Sequence, residues 1–76
     1  MNSYGVVLFH TTAAALRSEK VIERAGLTGK LIPTPRHLSS DCGIALRFGW
    51  PEREKVDMTL KQANVPFAGI HPFDVP

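Results

Sequence analysis

The sequence predicts an α+β fold, a four-stranded antiparallel sheet with two helices packed on one face. Three observations carry that expectation. Two stretches, 13–25 and 52–63, repeat apolar residues at the three-to-four-residue spacing of an amphipathic helix. Four short apolar or alternating runs surround them, separated by glycine, proline and polar turns. The resulting order, β-α-β-β-α-β, is that of the ferredoxin-like split βαβ arrangement, with strands expected in the spatial order 4-1-3-2.

The first strand is expected over residues 4–9, where Tyr-Gly-Val-Val-Leu-Phe is apolar throughout and reads as central and covered on both faces. His10, Thr11 and Thr12 end it, and either threonine can cap the helix that follows. In that helix Ala14, Ser18, Val21, Ile22 and Ala25 form the inward face, with charged residues opposite. Leu16 lies off that face, which suits an exposed leucine or a subunit contact. Gly26 stands where a glycine terminates a helix. Residues 29–33 form the second strand, kept to an edge because Pro33 and Pro35 lack ladder donors.

Residues 43–48 alternate, Ile44, Leu46 and Phe48 to one face and Ala45 and Arg47 to the other. Gly49-Trp50-Pro51 then turns into the second helix, whose inner stripe is Val56, Thr59 or Leu60, and Ala63, with Asn64 as its C-terminal cap. The last strand is expected over 65–70, at an edge because of Pro66, with 72–76 an irregular tail. Residues 1–76 thus read as one domain with its core at about 3–71.

Composition narrows the function classes. A chain of 76 residues buries only about 60% of the surface its unfolded form exposes, which makes a homodimer reasonable. One cysteine excludes an internal disulfide framework and fits a cytoplasmic chain whose thiol stays reduced. No apolar run is long enough to span a membrane, and the residues ahead of the first strand lack the basic and apolar pattern of a signal peptide, so none is expected. The net charge is +2, with basic residues dispersed among acids, so nucleic-acid binding is disfavoured. The three histidines show no ligand spacing, so neither a metal nor a cofactor is expected.

The topology gives Cys42 an address. Strand 1 ends where strand 3 begins, beside the start of the first helix. Cys42 is therefore expected near Thr11 and Thr12, at a helix N-terminus whose partial positive charge and unpaired N–H groups favour an anion. A thiol at such a site is shifted toward its nucleophilic thiolate. Arg36 and His37 would add positive charge, and Asp41 opposes them. The polar flank Ser39-Ser40-Asp41 and Gly43 suggest an exposed loop position. The plainer alternative is a small apolar side chain filling space before a strand.

Phe9-His10-Thr11-Thr12, Ala15-Leu16, Glu19-Lys20, Ala25-Gly26, Leu31-Ile32-Pro33-Thr34-Pro35-Arg36 and Ser39-Ser40-Asp41-Cys42-Gly43-Ile44-Ala45-Leu46 together resemble a family of small bacterial selenium/sulfur carrier-like proteins. The resemblance runs to about Ile70 and is most specific in the Ile-Pro-Thr-Pro-Arg and Ser-x-Cys-Gly-x-Ala-Leu segments. It implies sulfur or selenium held on Cys42 as a persulfide or selenosulfide, and Arg36 as an anion-stabilising residue. A cysteine desulfurase-type donor and an acceptor enzyme would be the partners. With no second cysteine to resolve an intermediate, the chain reads as a carrier rather than a complete enzyme. The competing expectation is a small ferredoxin-like binding or regulatory module in which Cys42 is incidental.

Overall fold

The computed structural model describes residues 3–38 and 42–74, with backbone only at position 74. Its elements are β1 (Ser3–Leu8), α1 (Thr12–Arg24), β2 (Gly29–Pro33), β3 (Ile44–Gly49), a single 3-10 turn (Trp50–Glu52), α2 (Arg53–Gln62) and β4 (Gly69–Asp74). The sheet order is β2-β3-β1-β4 and every pairing is antiparallel. This is the expected β-α-β-β-α-β arrangement. β1 and β3 occupy the centre, and the two proline-bearing strands form the edges.

Alternation along β1 and β3 divides the interior into two layers. Val7, Phe9, Leu46 and Phe48 point to the helices, where Ala15, Ile22, Val56 and Leu60 close over them. Val6, Leu8 and Ala45 point the other way and are equally buried. Their cover comes from Ile32, Leu38 and Phe73, so the β2–β3 connection folds across part of the outer sheet face. His37 adds a ring stacked with Phe73 at 6.4 Å between centroids. An apolar first strand is thereby explained on both sides, as its composition requires.

Both helices end in the same device. Gly26 adopts φ +80°, its N–H donates to the Glu23 carbonyl at 3.0 Å, and Leu27 N–H donates to the Ile22 carbonyl at 2.9 Å. Asn64, at φ 57°, repeats this with Lys61, and Val65 N–H reaches the Leu60 carbonyl at 2.9 Å. These paired bonds satisfy carbonyls that a helix end otherwise leaves open. Only Gly26 avoids the Cβ penalty, so Gly26→Ala should lower stability by about 1–2 kcal/mol. Urea denaturation measures this, and an unchanged midpoint would contradict the assigned role.

Three expectations need correction. β4 starts four residues later than sequence placed it, and positions 72–74 continue it instead of beginning a tail. Val65 is unavailable to a strand because it terminates α2 and is buried. Pairing begins only at Ala68, whose N–H donates to the Leu8 carbonyl at 2.7 Å. Pro72 is tolerated because β4 is an edge strand. On α1, Ala15 is buried and Ala25 is exposed, because the helix stops at Arg24 and Ala25 has left its face. Leu16 is exposed, in line with its off-face position.

Candidate functional site

The site is built where β1, α1 and β3 meet. Thr11 is the N-cap of α1, in extended conformation, and its hydroxyl accepts the Ala14 N–H at 3.2 Å. That bond fixes the first turn and aims Thr12 at the start of β3. Cys42, two residues before β3, points to the helix side of the sheet. Its Sγ lies 3.7 Å from Thr12 Oγ1. The topological argument from strand order therefore leads to the neighbour it names.

The thiol is not in the open position expected from its polar flank. Cys42 is 5% exposed and belongs to the helix-side core with Phe9, Ala14 and Ala15. The reason is register: Ile44 and Leu46 face the helices, and Cys42 shares their parity along the chain. Among the other anticipated residues, Thr11 spends its hydroxyl on the cap. Arg36 is exposed. Gly43 is exposed, and its carbonyl accepts the Thr34 N–H at 3.0 Å. Ser39, Ser40 and Asp41 lie outside the described residues.

One residue that sequence reasoning missed is Thr34. Its N–H bonds the Gly43 carbonyl, and its hydroxyl donates to the Cys42 carbonyl at 2.8 Å. These two bonds draw the ends of the β2–β3 connection together and hold the Cys42 backbone against the end of β2. Farther out, Leu38 N–H closes a turn on the Pro35 carbonyl at 3.0 Å. The signal in the sequence was a threonine between two prolines. Pro33 and Pro35 limit the backbone around Thr34, so its own N–H and hydroxyl supply the pairing there.

The arrangement sets the Cys42 thiol beside the Thr12 hydroxyl, at the positive N-terminal end of α1. Among the described residues no three histidine, cysteine or carboxylate side chains gather as a metal site. Nor is any described helix long and apolar enough to cross a membrane.

Comparison with known proteins adds the family context. The family described as "Putative Se/S carrier protein-like" matches residues 4–72, a span that includes Thr12, Thr34 and Cys42. An Escherichia coli protein described as "Uncharacterized protein YtiA" is 28% identical over 53 residues, 70% of this chain. The match spans 62% of that relative's length. No solved structure matches the chain.

Proposed function

Because the chain belongs to the Se/S carrier protein-like family, we propose that it carries sulfur or selenium on the Cys42 sulfur. The observation that supports this most is the 3.7 Å contact between Cys42 Sγ and Thr12 Oγ1 at the N-terminus of α1. The Cys42 thiolate attacks the terminal sulfur of a donor persulfide, R–S–SH, of the type a cysteine desulfurase forms. The donor S–S bond breaks as a new S–S bond forms on Cys42. The products are R–SH and Cys42–S–S⁻, so protons and electrons balance without an oxidant or reductant. An acceptor thiolate then takes the outer sulfur by the same exchange and restores the Cys42 thiolate. A donor bearing R–S–SeH would load selenium as a selenosulfide.

Thr12 has a defined part in this chemistry. Its hydroxyl donates to the sulfur when the sulfur is anionic, and the helix end favours the same charge. Thr12→Val keeps the shape and removes the donor. Loss of a hydrogen bond to a charged atom, at about 1.5 kcal/mol, should slow loading roughly tenfold. Cyanolysis of the loaded protein, which releases the outer sulfur as thiocyanate, measures the rate. Equal rates for Thr12→Val and the parent would remove Thr12 from the mechanism. Absence of any cyanide-labile sulfur on the parent chain would remove the mechanism itself.

The burial of Cys42 favours a second reading, a binding module in which the thiol is a packing atom. In that case Cys42→Ala changes stability and nothing else. The carrier reading requires the sulfur to become accessible to its partners, so donor binding must uncover it.

A further inference from the structure

We propose that the sheet face opposite the helices binds single-stranded nucleic acid, with Tyr4 and Phe73 stacking bases and Lys30 and Arg47 holding phosphates. The proposal does not depend on the carrier chemistry, because Cys42 lies on the other side of the sheet.

Strand register places these groups in two adjoining rows. Lys30 pairs with Arg47, Arg47 with Val6, and Val6 with His71, which makes a cross-strand row with cations on β2 and β3. The neighbouring row runs from Gly49 through Tyr4 to Phe73. Tyr4 and Phe73 are thus direct cross-strand partners on the outer face; the Phe73 ring already stacks with His37, so a base stacking there takes the place of the His37 ring. Sequence reading put Phe73 in an irregular tail; the later start of β4 brings it onto the platform.

Like charges directly opposite one another on one face weaken a sheet. Lys30 and Arg47 nevertheless occupy such a pair. The Arg47 guanidinium lies 4.7 Å from the centre of the Tyr4 ring, a contact that partly accommodates it. No described carboxylate faces them: Glu19, Glu23, Glu52, Glu54 and Asp57 all belong to the helical layer or the turn that enters it. A ligand carrying negative charge would complete the pair. Beside it is a hollow of about 250 Å³ lined by Tyr4, Lys30, Arg47 and Gly49 among others. A Cβ built on Gly49 would meet nothing within 4 Å, so that flank of the platform is open.

The two aromatics decide the class of anion. Paired cations alone would serve an acidic protein surface, but a Tyr–Phe row next to them suits bases and phosphates in alternation. Bases stack on rings regardless of sequence, so the preference is for single strands over duplex.

Fluorescence anisotropy with a labelled oligouridine tests this, with single-stranded DNA of equal length in parallel. Binding to either strand is expected, and its affinity should fall with salt by a log–log slope of about 0.7 per phosphate contact. Lys30→Ala, at an exposed position, should reduce that slope by about 0.7 and weaken binding. Tyr4→Ala should weaken binding about 5- to 150-fold. Cys42→Ala should bind as the parent does. No binding below about 0.1 mM at about 50 mM salt would overturn the proposal. So would unchanged binding by Lys30→Ala, or an oligoglutamate peptide binding as tightly as the oligonucleotides.

Discussion

Phe9→Ala should be strongly destabilising. Phe9 is fully buried at the junction of β1, α1 and the Cys42 segment. Truncating a buried phenylalanine costs about 3–5 kcal/mol, the lost transfer free energy plus the cavity left behind. Total stability at roughly 0.05–0.15 kcal/mol per residue gives about 4–11 kcal/mol for a chain of this size. The substitution therefore removes about a quarter of the stability or more. A domain of this length loses about 4–8 °C per kcal/mol, so the midpoint should fall by about 12 °C or more in a thermal melt followed by circular dichroism. Leu16→Ala, at an exposed position on α1, should stay within about 0.5 kcal/mol of the parent. A Phe9→Ala melt within a few degrees of the parent would contradict the core described above.

Much of the fold was legible because its signals are local. The apolar run of β1, the alternation of β3 and the i, i+4 stripes of both helices each declare an element on their own. Gly26 and Asn64 mark where the helices stop, and the structure finds them in the left-handed region. Once the order of elements is known, few topologies remain, and the proximity of Cys42 to α1 follows from strand adjacency.

The rest depends on long-range packing. β4 carries Pro72, and its start is set by Val65, which ends α2 before any strand can form. Val65 is apolar and β-branched and reads locally as strand; its bond to the Leu60 carbonyl exists only in the folded chain. The outer cover of the sheet has the same character. Leu38 has no periodic partner in its own segment, yet it packs against the layer of Val6, Leu8 and Ala45. The burial of Cys42 was hidden for a related reason. A serine-rich flank suggests exposure, whereas the parity of β3 turns the thiol inward regardless of its neighbours.

Cys42→Ala should abolish loading. The chain has one cysteine, so no other side chain can hold a persulfide or selenosulfide. The effect is all-or-none rather than graded, which distinguishes it from Thr12→Val. Alanine also suits the site structurally. It is smaller than cysteine, brings no polar atom into the core and leaves the Thr34 bond to the residue 42 carbonyl in place. The loss of the sulfur atom should cost about 1 kcal/mol of stability, since core truncations of this size leave only a small cavity. Folding of the variant can be checked independently by circular dichroism, so failure to load would report chemistry and not collapse.

The carrier account is tested most directly by intact-protein mass spectrometry after incubation with a cysteine desulfurase and either cysteine or selenocysteine. The parent chain should gain the mass of one sulfur or one selenium atom, reversible by a thiol reductant, and folded Cys42→Ala should gain neither. Loading of Cys42→Ala to the parent's level, or no loading of the parent, would contradict it.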